Sequence, residues 1–357
     1  MFSRAKKLPS SIIGIDLGRY SLKSVALQRK GANRFVLNNY AVRVMETAPQ
    51  TAEQLAAELK LLLNEMGGSS KACAVAVSSS DSLIRIIEQP ETPTELLRDA
   101  MRLNGLLLLN QDVKEFVLDC DTVVSGAAQQ QPSELAPAVS HLRYLVAGMP
   151  RTRVGMIDEA FQKNRKNAIH NVQLAPICTF NAFEFANAEV FQNEAFLLLD
   201  IGHNSSTMTV GVKGELVLVR TVEYGGHSFS QALVGQSEHN SSDAMRLLEE
   251  GDETTTDNAR FSLLALTREI SSSIGFFEGR REENIRRVFV SGGIARSQAL
   301  LKLLSEELHM PCEAWDPFRS CEVMLPADRK KLFAEDFVSL NVACGAAAEA
   351  LKGKARK

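Results

Sequence analysis

Asp16 ends an apolar run, Gly18 follows two residues later, and Lys23 leads into a second apolar run. Asp200 and Gly202 repeat the arrangement, and Ser205 falls where Ser21 does, at the offset of 184 residues that separates Asp16 from Asp200. These residue types suit phosphate chemistry. A glycine at a hairpin tip lets the backbone turn with φ > 0 and brings N–H groups to an anion with no side chain in the way. A carboxylate just before such a turn repels phosphate, so its natural partner is a hydrated divalent cation beside the phosphates. One strand-Asp-x-Gly hairpin alone is more often an ordinary turn. Two of them, half a chain apart, point to an internal duplication whose tips face each other across a cleft. A further glycine element, Ser291-Gly292-Gly293, follows the apolar residues Val288, Phe289 and Val290. A glycine pair there either lays a flat ligand such as adenine against bare backbone or is simply a tight strand-to-helix turn.

The elements that must position these residues follow from periodicity. The pattern predicts a strand hairpin over 12–27, a third strand over 34–44 and a helix over 51–66 with Leu55, Leu59, Leu62, Leu63 and Met66 on one face. Gly67 and Gly68 end that helix, and a strand over 72–77 follows. Strand, strand, strand, helix, strand is the first half of a ribonuclease H-like unit, and it sets Asp16 beside the sheet centre. From residue 83 the pattern becomes a compact inserted module. It has a strand over 83–87, a turn flanked by Pro90 and Pro93, and a helix from Thr94 carrying Leu96, Leu97, Ala100, Met101 and Leu107. Strands over 116–120 and 141–148 and a helix through Val154, Ile157 and Phe161 complete it. Residues 124–140, rich in Gln, Ala, Pro and Ser, read as an exposed loop.

A strand over 171–174 and one helix around 182–190 return to the first lobe. The second half then repeats the plan. A tight turn over 211–214 precedes a strand over 215–222, and Gly225 and Gly226 introduce a helical stretch. A polar segment over 238–253, helical around 244–248, an amphipathic helix over 261–277, a strand at 288–290 and a helix holding Leu300, Leu301, Leu304 and Leu308 follow. The chain therefore divides into a first lobe (10–81 and 168–195), an inserted subdomain (82–167), a second-lobe core (196–224 and 288–352), a second-lobe subdomain (225–287) and basic tails (1–9 and 353–357).

A length of 357 residues accommodates about two domains, and 45% hydrophobic with 23% charged residues is ordinary globular composition. The net charge of -3 gives no general attraction to nucleic acid or an anionic membrane. Basic residues do cluster at the ends, at Arg4, Lys6 and Lys7 and at Lys352, Lys354, Arg356 and Lys357, where solvated tails are the simplest reading and contact with acidic lipid or a partner is the other. No apolar run approaches the ~18–20 residues of a membrane span, and no signal-peptide pattern opens the chain, so a cytoplasmic location is expected. The six cysteines lack metal-site spacing and read as small, reduced core or near-surface residues.

With these elements in order, the chain resembles the actin, sugar-kinase and heat-shock-chaperone ATPase superfamily, and within it the PilM family of type IV pilus assembly proteins, which is similar to FtsA. The resemblance rests on Lys6, Lys7 and Pro9 before Ile13-Gly14-Ile15-Asp16-Leu17-Gly18 and Lys23, on Leu118-Asp119, and on Asp200-Ile201-Gly202. Arg220 with Gly225-Gly226, the 243–246 segment, Arg268-Glu269-Ile270 with Phe276-Phe277, and Ser291-Gly292-Gly293 through Trp315-Asp316-Pro317-Phe318 also fit. It implies an α/β, actin-like ATPase fold: two duplicated ribonuclease H-like lobes around a nucleotide cleft, with an FtsA-type inserted subdomain in the first lobe.

The resemblance further implies ATP and Mg as cofactors. Asp16, Gly18, Ser21 and Lys23 would form the first phosphate loop, and Asp200, Gly202, Asn204 and Ser205 the second, with Asp16 and Asp200 holding the metal through water. Gly225 and Gly226 would border the phosphates, Asp243 and Arg246 would approach ribose and base, and Gly292, Gly293 and Ile294 would cover adenine. Arg19 and Tyr20 depart from the small residues usual after the first loop's glycine. Either Arg19 adds a guanidinium contact to phosphate or the two bulky side chains narrow the site. His203, and Arg246 where the family tends to have Lys, pose the same alternative. The implied role is an adaptor on the cytoplasmic face of the inner membrane, with no or very weak ATPase activity. It would bind the cytoplasmic N-terminal peptide of a PilN-like single-pass protein between the inserted module and the first lobe. Pilus assembly ATPases and self-association are further partners compatible with that role.

Two other classes compete. An ATP-dependent small-molecule phosphotransferase on the same fold would need a base near the transferred phosphate, and Glu184 is the one carboxylate the sequence offers between the lobes. A secretion or divisome-platform paralogue that no longer binds nucleotide is the other. A hydrolase triad has no support, since the chain lacks GxSxG.

Overall fold

The structure, a computed structural model, describes residues 9–31, 34–68, 70–78, 82–123, 141–235 and 240–352. The loop expected over 124–140, nearly all of both basic tails (including Lys6 and Lys7), and Glu238 lie outside the described residues.

The chain opens with β1 (Ser11–Leu17), β2 (Ser21–Arg29) and β3 (Phe35–Val44), an antiparallel meander, followed by α1 (Ala52–Glu65) and β4 (Ala72–Val77), which runs parallel to β1. Thr51 and Gln54 close a capping box on α1, which fixes where that helix starts. The inserted module comprises β5 (Leu83–Pro90), α2 (Thr94–Leu109), β6 (Phe116–Thr122), β7 (His141–Pro150) and α3 (Arg151–Asn164). Its strands form a separate antiparallel sheet ordered β5-β7-β6, with its own core of Leu83, Leu97, Met101, Leu118, Tyr144 and Val146. Of the apolar residues expected on the helix from Thr94, the structure buries Leu97 and Met101. Leu97, Met101, Gly105 and Leu109 are buried, whereas Leu96 and Leu107 are exposed. A Cβ at position 105 would collide with Val113, so the glycine lets the helix settle on that face.

Strand β8 (Ala168–Leu174) returns to the first sheet beside β4. The single helix expected around 182–190 is two, α4 (Ala175–Ala186) and α5 (Ala188–Asn193), broken where Asn187 leaves helical geometry at φ -130°, ψ 48°. The second sheet comprises β9 (Ala195–Ile201), β10 (Ser206–Val212), β11 (Glu215–Val222), β12 (Val288–Gly292) and β13 (Cys312–Ala314). Its order, β11-β10-β9-β12-β13, reproduces β3-β2-β1-β4-β8 with the same parallel and antiparallel pairings. Asp16 faces Lys23 and Asp200 faces Thr207, so residues 184 apart occupy equivalent register positions. The duplication read from two hairpins thus extends over both sheets. Residues Lys213 and Gly214, both at positive φ, make the expected turn, while Gly211 belongs to β10 and gives room to the Phe196 ring.

Helices α6 (Gly226–Val234), α7 (Ser241–Glu250), α8 (Glu253–Glu278) and α9 (Gln298–Leu308) cover the second sheet. The chain end corrects one boundary. Residues 288–352 do not all belong to the second lobe: β14 (Cys321–Val323) pairs with β3, and α11 (Asn341–Lys352), which follows α10 (Ala327–Asp336), packs on β1, β2, β4 and α4. The cause is side-chain size. Helix α11 is buried nearly all round by small residues, and a Cβ on Gly345 would collide with the Cys178 carbonyl, as one on Gly14 would with that of Ala343. Phe183 of α4, with ring centroids 4.6 Å from both Phe196 and Phe289 and 5.3 Å from Trp315, ties the two sheets into one core. Among the described residues no helix is long and apolar enough to cross a membrane.

Gly345→Ala should force α11 away from α4 and lower stability by about 1–3 kcal/mol, the usual cost of overpacking. Urea denaturation checks this against Gly155→Ala, whose added methyl meets nothing within 4 Å; equal midpoints would refute the close approach.

Candidate functional site

The two hairpin tips face each other, as the duplication required. Strands β1 and β9 are near-continuous apolar runs, as central strands covered on both faces must be, and each delivers its carboxylate at its end. A Cβ on Gly18 would stand 2.5 Å from the Ser21 carbonyl oxygen, and one on Gly202 would stand 2.8 Å from that of Ser205, so the same close turn recurs in both copies. Between the tips is a cleft of about 110 Å³. From the first hairpin Asp16, Gly18, Arg19, Tyr20, Ser21 and Lys23 line it, and from the second Asp200, Gly202, His203, Asn204 and Ser205.

Four lining residues were missed by sequence reasoning: Ser78, Ala175, Thr207 and Val342. The repeat offset would have found Thr207, the counterpart of Lys23. Ala175 and Val342 bring the first turns of α4 and α11 to the cleft, and the partial positive charge of a helix N-terminus favours an anion there. No local pattern in the sequence marks them.

Asp16 is buried, and Lys23 Nζ lies 3.6 Å from its Oδ2. Burial pushes the Asp16 carboxyl above the usual carboxylate range; Lys23 opposes the rise and the charge of Asp200 adds to it. Asp200 is held differently. Its Oδ1 accepts from Ser291 Oγ at 2.8 Å and from Asn341 Nδ2 at 3.1 Å, and Asn341 also reaches Thr179 Oγ1 at 3.1 Å. Ser291, Asn341 and Thr179 are themselves buried, so this carboxylate is fixed by a satisfied polar network. Two converging carboxylates with one lysine fit a hard divalent cation, which takes one or two carboxylates together with phosphate oxygens and water. Among the described residues no group of three His, Cys, Asp or Glu could hold a metal by itself, so such a cation would need oxygens from a ligand.

An aromatic contact joins the two hairpin tips at the cleft. The Tyr20 ring stacks on His203 at 3.8 Å between centroids and 3° between planes, and His203 lies 5.0 Å from His227. Burial, with a smaller effect from His227, lowers the His203 pKa and favours the neutral imidazole in this stack.

The remaining predicted residues lie outside the enclosed cleft. Gly225 and Gly226 sit behind the second hairpin, where the Gly226 N–H donates to the Gly202 carbonyl at 2.8 Å. Asp243 accepts from Asn240 Nδ2 at 2.8 Å at the start of α7, and Arg246 pairs with Glu250 at 2.7 Å. Gly292, at φ +105°, lies against the Ile201 backbone, Gly293 meets nothing, and Ile294 packs over Gly226. The enclosed volume is smaller than the ~300–1,000 Å³ of a pocket for a whole small ligand. Glu184, the one candidate base, bonds Lys352 Nζ at 2.6 Å and is not part of the cleft.

The family model described as type IV pilus assembly protein PilM matches residues 152–351. A solved structure described as the PilM-PilN type IV pilus biogenesis complex is similar, with TM-score 0.78 and 22% identity over 95% of this chain and 98% of that one. The ethanolamine utilization protein EutJ from Carboxydothermus hydrogenoformans is similar at TM-score 0.51 and 13% identity, over 98% of this chain and 92% of that one. Both likenesses concern the fold, which is the actin-like ATPase fold.

Because the folded-state pKa of Asp16 is raised, its ionisation opposes folding, and stability is lost as pH rises from the unfolded value of 3.8 through the folded one. Asp16→Asn should therefore raise the melting temperature at pH 7.5 by about 1–3 °C. The gain should shrink as pH falls towards 4. Calorimetric melts across pH check this, and a constant gap would contradict it.

Proposed function

The chain belongs to the type IV pilus assembly protein PilM family, and from that premise we propose that it is an ATP-binding adaptor of the pilus inner-membrane assembly platform. The observation that carries the nucleotide reading is the pairing of Asp16 and Asp200 across a cleft that also holds Lys23. ATP would place its phosphates between the hairpins. Ser21, Ser205 and the backbone N–H at Gly18 would bind them, while Asp16 and Asp200 would hold Mg²⁺ through water. The metal would neutralise the phosphates and the converging carboxylates together. Gly292, Gly293 and Ile294 would receive the base, with Asp243 and Arg246 towards the ribose.

The partner reading rests on likeness to the PilM-PilN complex. A groove of about 680 Å³ lies between the start of α1 and the start of α3, where the inserted module meets the first lobe. Thr51, Glu53, Pro150, Arg153, Met156 and Glu159 are among its lining residues, a mixture of apolar and charged groups suited to a short peptide. We assign it to the cytoplasmic N-terminal peptide of a PilN-like single-pass protein, which would bring this chain to the cytoplasmic face of the inner membrane.

The phosphotransferase reading loses support because Glu184 is engaged by Lys352. One observation favours a paralogue that no longer binds nucleotide: the Tyr20–His203 stack between the two hairpin tips. Calorimetric titration with ATP and Mg²⁺ separates the two. Asp200→Ala should weaken binding at least about tenfold, equivalent to ~1.4 kcal/mol. Tyr20→Ala, which removes the stack, should bind at least as well as the unaltered protein. If neither the unaltered protein nor Tyr20→Ala binds, the degenerate-site reading stands. Rapid ATP turnover with a small sugar or acid would sink the adaptor reading.

The groove has its own test. Gly155 lines it, and a Cβ there meets nothing within 4 Å. Gly155→Trp should fill the groove, leave the melting temperature intact and weaken the peptide of the neighbouring membrane protein at least about tenfold. Undiminished affinity would place the peptide elsewhere.

A further inference from the structure

The two cleft carboxylates differ in what stands behind them. In the first sheet Asp16 has Ala76 of β4 as its register partner, and in the second Asp200 has Ser291 of β12. The same backbone position thus carries a methyl group in one copy and a hydroxyl in the other. That hydroxyl donates to Asp200 Oδ1 at 2.8 Å, and Asn341 Nδ2 donates to the same oxygen at 3.1 Å. Both hydrogen bonds fall on Oδ1. Oδ2 accepts none from the described residues, and Asp200 lines the cleft, so Oδ2 is the oxygen offered to a ligand.

Asn341 reaches Asp200 from a helix packed on the other sheet. It heads α11, which lies against β1, β2 and β4 of the first sheet and against α4. Its Nδ2 has Thr179 Oγ1, Ser291 Oγ and Asp200 Oδ1 each at 3.1 Å. An amide nitrogen has only two hydrogens for these three oxygens. The carboxylate claims one, because a hydrogen bond to an ionised acceptor is about twice as strong as one to a neutral hydroxyl. The hydroxyls of Thr179 and Ser291 share the other.

We propose that Asn341 is a positioning residue of the cleft: it sets the rotation of the Asp200 carboxylate, so that Oδ2 meets a divalent cation or its water as the principal protein oxygen. This role presupposes the reading of the cleft as a site for phosphates with a cation. The torsion that turns a carboxylate about its Cβ–Cγ bond is broad, so a carboxylate without donors samples many orientations. Pinning Oδ1 removes that freedom before the cation arrives. Hydrogen bonds behind a ligating group are worth about 10–100-fold in metal affinity. Asp16 lacks this support: Ala76 offers it no donor, and Lys23 already neutralises it at 3.6 Å. The inequality of the two carboxylates therefore arises at residues 76, 291 and 341, none of which lines the cleft.

Electron paramagnetic resonance of Mn²⁺, which shares the octahedral oxygen coordination of Mg²⁺, tests this on the full chain. The metal is titrated with ATP and, separately, with inorganic pyrophosphate, which supplies phosphate oxygens without a base. Asn341→Ala should weaken Mn²⁺ binding about 10–100-fold, and Asp16→Asn should weaken it less than Asp200→Asn does. Ser291→Ala removes the other donor with a smaller change, should act in the same direction, and serves if Asn341→Ala fails to fold. A double-mutant cycle separates positioning from a purely structural role. In the Asp200→Asn background Asn341→Ala should change the affinity less than about twofold, whereas in the Asp16→Asn background its full effect should remain. Equal losses in the unaltered and Asp200→Asn backgrounds overturn the proposal, as does undiminished Mn²⁺ affinity in Asn341→Ala. Mn²⁺ binding with pyrophosphate and not with ATP would sink the nucleotide reading alone, with the cycle then read on pyrophosphate. Binding in neither mixture overturns both.

Discussion

Two carboxylates brought into each other's field at the bottom of a narrow cleft is the constraint on which the rest of the site depends. Asp16 is desolvated, feels the charge of Asp200 and has Lys23 as a counter-charge at 3.6 Å. Such an arrangement costs stability, and a fold keeps it where surrounding structure over-determines the geometry. Here that structure is two sheets that share one five-strand order, joined by one aromatic core, with Phe183 touching Phe196, Phe289 and Trp315. The small residues of α11 then let it close on β1, so the chain end supports the first hairpin while its Asn341 fixes the second hairpin's carboxylate.

The two jaws are equal in backbone and unequal in chemistry. The Gly18 and Gly202 turns make the same contact with the Ser21 and Ser205 carbonyls, and the strand registers coincide. Yet Lys23 on one side is Thr207 on the other, and Asp16 has an ion pair where Asp200 has a hydroxyl and an amide. Duplication thus supplies position, and divergence supplies charge. Tyr20 and His203 show the limit of that freedom: two ring-bearing residues at facing tips come into stacking contact because the backbones hold the tips so close.

Much of this was legible because it has a period or a repeat. Strand alternation and runs gave the first sheet, apolar spacing gave α1, and the 184-residue offset gave the second hairpin. The chain end was not legible for physical reasons. β14 has three residues, too few to show alternation, and α11 is buried nearly all round, so it has too little polar face to reveal a helical period. Which side of α2 meets the sheet was not legible for a related reason. Leucine at both its inner and outer positions removes the contrast that periodicity needs, and only the presence of Gly105 beside Val113 decides which side meets the sheet. Asn341 heads an alanine-rich stretch, and its importance depends on Asp200, far away in sequence, which no local pattern could connect.

The inserted module is held to the rest of the molecule by forces of two kinds. Towards the first lobe it packs through α3 on α1 and through Met149, Ile157, Ala160 and Phe161 in a shared apolar core. Towards the second lobe the contact includes charge. Glu215, at the start of β11 and buried, pairs with Arg143 of the module and with Arg281 after α8 at 3.0 Å. Burial, aided by Arg281, lowers the Arg143 pKa, and the charge of Glu88 opposes the fall. An apolar core resists shear because its side chains interlock, whereas an ion cluster depends on the distances among a few atoms. The module therefore meets the first lobe through interlocked apolar side chains and the second lobe through this charge cluster together with apolar contacts of Ile86 and Leu145 in the core that includes Leu216.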